Sequence, residues 1–199
     1  MKIALIGAQG VGKTTLSHRL LREFPGSILV KETVRECPYP CDHGADFKTE
    51  WWVLSHSILA EQEAREKKSE LVITDRCLLD IAVYTKLIEQ SGDGRISTLQ
   101  RRIIEDVIDQ WFRESPYDAI FFVKVSPDIW KGRDLDDGFR STDAAWYEVL
   151  TAQFEEAIDR FEMRKRTKLC TVMNDGAFET TFESVRREIL SLAGRAKNA

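Results

Sequence analysis

No stretch of this 199-residue sequence is apolar for long enough to cross a bilayer, which takes about 20 residues in a helix. The first apolar segment is short and gives way at once to a glycine-rich turn, unlike a secretory leader. A soluble, cytoplasmic protein is therefore expected. Disulfide architecture is also missing: Cys37, Cys41, Cys77 and Cys170 are scattered and suit reduced thiols. Cys37-Pro-Tyr-Pro-Cys41-Asp-His43 lacks the second Cys or His pair of a zinc finger, which leaves a metal role there open. Basic excess is absent as well. Lys and Arg number 29 against 33 Asp and Glu, a net charge of −4. That balance disfavours non-specific nucleic-acid binding, though not a local basic groove. Internal repeats, low-complexity tracts and dividing linkers do not occur, so residues 1–199 read as one α/β domain with ample core.

What is present centres on Gly7-Ala8-Gln9-Gly10-Val11-Gly12-Lys13-Thr14, which fits the phosphate-binding P-loop, or Walker A, pattern. Its surroundings are as the pattern requires: a short apolar strand, Ile3–Ile6, before it and a helical apolar spacing from Thr15 to Phe24 after it. Gly7, Gly10 and Gly12 allow backbone turns that a Cβ opposes and bring N–H groups close to phosphate oxygens. The helix start adds unpaired N–H groups and the positive end of its dipole. Lys13 is expected to reach the β- and γ-phosphates and the Thr14 hydroxyl to ligate Mg²⁺. Gln9, Val11 and Thr15 complete the expected nucleotide-binding set.

The remaining chain alternates strands and helices. Pro25-Gly26 ends the first helix, and Ser27–Lys31 is a second strand that ends at Glu32. Thr33–Ala45 is expected as a loop over the site. Asp46 caps a helix running to about Lys68, with Phe47, Trp51, Leu54, Ile58 and Leu59 on one face. Leu71–Thr74 is a buried strand stopping at Asp75-Arg76. Helices follow from Leu78 to about Gln90 and from Ile96 to about Phe112, split by the loop Ser91–Gly94. Ala119–Val125 is the fourth strand. A charged segment at about 131–142 precedes a helix from about Asp143 to Arg166. Leu169–Met173 and a helix from Phe178 to Leu192 close the chain. This alternation implies a parallel sheet with helices on both faces, whose ligands sit beyond the carboxyl ends of the strands.

Chemistry-bearing residues collect at those ends. Asp75 occupies the Walker-B position, a carboxylate that holds Mg²⁺ directly or through water. Arg76, always charged, suits a phosphate or a carboxylate partner. Glu32 could take a proton from an acceptor hydroxyl, or pair with Arg35. Arg133 and Arg140 flank Asp134, Asp136 and Asp137 in a segment suited to a lid, where arginines neutralise charge on a transferred phosphoryl group. Trp51 and Trp52 point about 100° apart on a helix, so that one can be core and the other line a pocket. His18, His43 and His56 show no catalytic spacing.

GAQGVGKT at 7–14, KETVRE at 31–36, VITDR at 72–76 and DDGFR at 136–140 resemble, in this order, the nucleoside and nucleotide kinase branch of P-loop proteins. The resemblance spans nearly the whole chain and is nearest to an AAA-domain-like set that includes ribosylnicotinamide kinases and several phage enzymes. It implies a three-layer P-loop NTPase fold with a five-stranded parallel sheet in the order 2-3-1-4-5. It also implies Glu32 near the acceptor hydroxyl, Asp75-Arg76 beside the phosphates, Arg140 as a lid arginine, and Asn174 to Ala177 along the adenine. Nothing resembles the arginine-finger and sensor motifs of ring-forming AAA+ machines. The chain departs from related kinases in having Cys77 after Asp-Arg and Thr33 after Glu32. Asn174-Asp175 lacks the lysine and spacing of a guanine motif, so ATP is the expected donor.

The expected activity is therefore ATP- and Mg²⁺-dependent phosphoryl transfer to a small acceptor, a nucleoside or nucleotide. The alternatives are a nucleotide-dependent regulatory ATPase or switch, and a kinase acting on a nucleic-acid end or modified base. The acceptor's identity and the oligomeric state are not legible at this level.

Overall fold

A computed structural model of the protein describes residues 1–41, 43–133, 144–160 and 167–196. Five parallel strands form one sheet: β1 (Lys2–Ile6), β2 (Ile28–Val30), β3 (Val72–Asp75), β4 (Ala119–Lys124) and β5 (Lys168–Met173). Their order is β2-β3-β1-β4-β5. Leu5 pairs with Asp75 on one side and with Phe121 on the other, which brings the carboxyl ends of the central strands together. The sequence explains the centre. Ile3 to Ile6 of β1 and all of β3 are buried on both faces, as continuous apolar runs in parallel sheets are. Edge strand β5 instead alternates, with Val172 buried while Leu169, Thr171 and Met173 face out.

The helices are α1 (Lys13–Glu23), α2 (Phe47–Glu66), α3 (Leu78–Gln90), α4 (Thr98–Glu114), α5 (Pro127–Lys131), α6 (Ala144–Arg160) and α7 (Phe178–Ala196). They cover both sides of the sheet; α1 packs on α7, while α3 packs against α2, α4 and α6. Among the described residues no helix is long and apolar enough to cross a membrane.

Several boundaries differ from the sequence reading. The start of α1 at Lys13 is as expected, with Gly12 in the left-handed N-cap position; others shift. α4 begins at Thr98: Ser97 caps it, accepting from the Gln100 N–H at 3.3 Å while Gln100 Oε1 accepts from the Ser97 N–H at 2.9 Å. Ile96 is buried ahead of that cap. A short helix, α5, and a 3₁₀ turn at Thr33–Glu36 were not anticipated. Residues 161–166, read as the end of a helix, lie outside the described residues.

The cap at Asp46 is as expected, its side chain accepting from the Thr49 N–H at 3.1 Å. The apolar face expected for α2 is met in part, since Leu54 is buried and Phe47 and Ile58 pack against the core. Trp51 and Leu59 are exposed, whereas Thr49, Glu50 and Glu61 are buried beside Val53 and Leu54. The inward side of α2 also borders a cavity with polar groups, which apolar periodicity does not reveal.

Candidate active site

The loop between β1 and α1 is held in a shape that only glycine permits at two points. Gly7 has φ +133°, and a Cβ there would lie 2.3 Å from the Val123 carbonyl oxygen of β4. Gly12 has φ +99°, and a Cβ would meet Asn174 Nδ2 at 2.6 Å. Lys13 is buried, and its ammonium donates to the carbonyls of Gly7 at 2.8 Å and Ala8 at 2.7 Å. Burial, reinforced by the nearby Arg76 charge, lowers it to about 7. Thr14 and Thr15 are exposed at the start of α1. Ser17 Oγ donates to the Thr14 carbonyl at 2.9 Å and stands 3.5 Å from Asp75 Oδ2, which joins the first turn of α1 to the end of β3.

Side chains from distant parts of the chain brace the back of this loop. The indole N–H of fully buried Trp130 donates to the Gln9 carbonyl at 2.8 Å. Its ring stacks on Tyr147 with centroids 4.9 Å apart, and Tyr147 in turn accepts the Val125 N–H. Arg133 donates to the carbonyls of Gly10 and Asn174, both at 2.7 Å. Asn174 Nδ2 donates to the Val11 carbonyl at 2.8 Å, while its Oδ1 accepts from Thr181 Oγ1 at 3.0 Å. The carbonyls of Gln9, Gly10 and Val11 are thus each satisfied from behind. Such a loop can present N–H groups to an anion without leaving acceptors unpaired. Trp130, Tyr147 and Thr181 had no signal in the sequence.

Arg76 follows β3 with φ +78°, a left-handed conformation unusual for a side-chain-bearing residue. Its N–H donates to the Leu5 carbonyl at 3.0 Å. Its guanidinium is gripped by two carboxylates: Nε pairs with Glu32 Oε1, and Nη1 donates to Asp80 Oδ1 at 2.8 Å. Asp80 also accepts from the Cys77 N–H at 3.0 Å, capping α3. Arg35 Nε reaches the other oxygen of Glu32 at 3.2 Å. Burial alone would push Glu32 up, but Arg76, helped by Lys13 and Arg35, holds it at about 2. Asp80 is pushed up by its burial despite Arg76. The two partners weighed for Glu32, a site role and Arg35, are compatible geometrically, and Arg76 takes carboxylates.

Gln9, Glu32, Asp75 and Arg76 all line one cavity of about 650 Å³, which continues between α2 and α3 past Glu50 and Tyr84 and is bordered by Trp146 of α6. Neither tryptophan of the adjacent pair lines it. Trp51 lies on the surface near Phe47, and Trp52 stacks on His56 with centroids 3.7 Å apart. Arg140, with Asp134, Asp136 and Asp137, falls outside the described residues; of the expected lid only the stretch to Arg133 is described. Cys41 directs its thiol at the Tyr39 and Val34 carbonyls. Among the described residues no group of three His, Cys, Asp or Glu side chains is arranged to hold a metal ion.

A glycine loop between a central strand and a helix, on a parallel 2-3-1-4-5 sheet with a carboxylate ending the adjacent strand, defines the P-loop NTPase class. Within that class the chain belongs to the AAA-domain family, which it matches over residues 2–168. No curated protein sequence matches it. Its fold is that of the P-loop kinases. Deoxyadenosine kinase from M. mycoides with bound dCTP is 20% identical at a TM-score of 0.69, the match covering 96% of this chain and 100% of that one. The same enzyme with the products dCMP and a flexible dCDP is 21% identical, with the same TM-score and coverage. With bound dATP it is 23% identical, again at 0.69, over 95% of this chain and 98% of that one.

Proposed function

We propose that the protein is an ATP- and Mg²⁺-dependent kinase that transfers the γ-phosphoryl group to a nucleoside or nucleotide. The observation that carries this reading is the shared cleft, which is lined together by the P-loop residue Gln9 and the charged strand ends Glu32, Asp75 and Arg76. Its volume of about 650 Å³ falls in the range of small-molecule sites, roughly 300–1,000 Å³. The deoxyadenosine kinase likeness supports the same acceptor class.

Phosphoryl transfer depends mainly on positioning and on stabilising charge. Lys13 would exchange the Gly7 and Ala8 carbonyls for phosphate oxygens, regaining its full charge beside an anion. The Gly7–Thr14 backbone and the start of α1 would hold the β- and γ-phosphates. Exposed Thr14 and the Asp75 carboxylate, linked through Ser17, are hard oxygen donors suited to Mg²⁺, which supplies neutralisation of the phosphate charge. Arg76 would stabilise the transferred group from the cavity side. Glu32, held at about 2, is a weak base. Its work is therefore to accept a hydrogen bond from the attacking hydroxyl, orienting that oxygen, and to receive the proton only as the P–O bond forms.

The test is incubation with γ-labelled ATP, Mg²⁺ and a pooled set of nucleosides, nucleotides and nicotinamide ribosides. The expected result is a labelled phosphorylated product from the wild type and none from a folded Lys13→Ala variant. Slow hydrolysis indifferent to every metabolite, or full turnover in Lys13→Ala, would overturn the proposal.

A further inference from the structure

Beyond the charged end of the cavity lies a second polar feature, on the facing walls of α2 and α3. Glu50, in the first turn of α2, lines the cavity and is 7% exposed. Among the described residues its one polar partner is fully buried Thr85 of α3, whose hydroxyl lies 3.3 Å from Glu50 Oε2. Three other charged groups of the cavity are engaged elsewhere. Arg76 serves Glu32 and Asp80; Arg95 serves Asp93 and the His43 and Ala45 carbonyls; Glu61 serves Lys2, Trp111 and Tyr117. Val53, Ile81, Leu87 and Ile88 add apolar surface to the same cavity.

We infer that Glu50 reads the flat ring of the acceptor, recognising a ring edge that carries a hydrogen-bond acceptor beside an N–H donor. This deepens the proposed kinase function and rests on it. A buried carboxyl without a cation beside it is costly to ionise. Burial pushes Glu50 up to about 8; Asp46 acts in the same direction, and Thr85 opposes them. At neutral pH the group is a carboxylic acid, with one O–H donor and an acceptor oxygen side by side. Thr85 donates to Oε2 and so marks it as the acceptor oxygen, leaving Oε1 to carry the proton. An acid of that form complements a ring nitrogen or carbonyl next to an amine or ring N–H, the pattern on nucleobase edges and on a ring carboxamide. Apolar slots with few, well-aimed polar groups are how small flat ligands are oriented.

The experiment measures acceptor KM and selectivity for wild type, Glu50→Gln and Glu50→Leu across the common ribo- and deoxyribonucleosides, their monophosphates and nicotinamide riboside. Glutamine keeps a donor beside an acceptor, so its acceptor KM is expected within about threefold of wild type. Leucine removes both, and KM for the preferred acceptor is expected to rise roughly 10–200-fold, with KM for ATP unchanged and the panel's selectivity flattened. An analogue of the preferred acceptor with CH in place of the edge nitrogen should lose as much with wild type and Glu50→Gln. If Glu50→Leu does not fold, that analogue series decides alone. Glutamine behaving like leucine, an analogue that loses nothing, or leucine retaining wild-type selectivity overturns the assignment of Glu50 and leaves the kinase reading standing. Transfer to no member of the panel by wild type overturns both.

Discussion

Replacing Glu50 with Gln should stabilise the protein at pH 8 and leave it nearly unchanged at pH 5. The carboxyl is raised from 4.5 to about 8 in the fold, chiefly by burial. Between those values the folded protein keeps a proton that the unfolded chain has released, so the unfolded state binds fewer protons and stability falls as pH rises. Below about 4.5 both states are protonated and the group costs nothing. Each pH unit inside the window costs up to about 1.4 kcal/mol. The total approaches roughly 5 kcal/mol above pH 8, and relaxation of the buried site reduces what is realised to about 2–3 kcal/mol. Asp46, the neighbouring charge that contributes to the shift, is retained in the variant, as is the Thr85 hydroxyl. Glutamine matches the shape and keeps an oxygen for Thr85, so little packing is lost. Urea unfolding of both proteins at pH 5 and pH 8 gives the difference directly, because every other titrating group is common to the two. A stability difference that is the same at both pH values would refute the argument, and so would a variant less stable than wild type at pH 8.

Gly12→Ala puts a Cβ 2.6 Å from Asn174 Nδ2 at φ +99°. A cost of about 1–2 kcal/mol is expected to lower Tm by about 2–8 °C in a chain of this size and to weaken ATP binding, with thermal unfolding and nucleotide titration as the checks. Gly94→Ala has φ +79° but nothing within 4 Å, and should show only the smaller conformational cost. Trp130→Phe keeps a ring against Tyr147 and removes the N–H that satisfies the Gln9 carbonyl. A loss of about 1–3 kcal/mol in denaturant unfolding is expected, with a raised KM for ATP, because the buried carbonyl is left without its donor.

Local signals made most of the frame legible. Ile3–Ile6, Leu71–Thr74 and Ala119–Val125 are continuous apolar runs, and each is a strand of the sheet interior. The phosphate loop declares itself because its glycines are demanded by backbone geometry. Features that depend on distant contacts left no trace. The resemblance places the loop from Asn174 to Ala177 along an adenine, but it carries no sign that the Asn174 side chain reaches the Val11 carbonyl, 163 positions away in the chain. Trp130 looks like any core aromatic until its N–H is seen to hold the loop. α5 escaped notice because it is one turn long, too short for a helical period. On α2 the apolar spacing finds Phe47, Leu54 and Ile58 but misses Thr49, Glu50 and Glu61, which are buried as well.

The pairing of Arg76 with Glu32 links the fold to the kind of catalysis it can support. After Asp75 the chain turns left-handed at Arg76, a conformation that costs about 1–3 kcal/mol for a residue with a side chain. Two charge-assisted contacts, to Glu32 and Asp80, offset that strain and hold the guanidinium rigid beside Asp75. Arg76, with Lys13 and Arg35, holds Glu32 at about 2, which makes an already weak base weaker. A stronger base would need Arg76 elsewhere, and a mobile Arg76 would no longer hold its positive charge at the end of β3. Between an effective base and a preorganised cation, this arrangement favours the cation. Such a choice suits a reaction whose barrier lies in charge gathering on phosphate oxygens, and it would serve poorly where breaking an O–H bond came first.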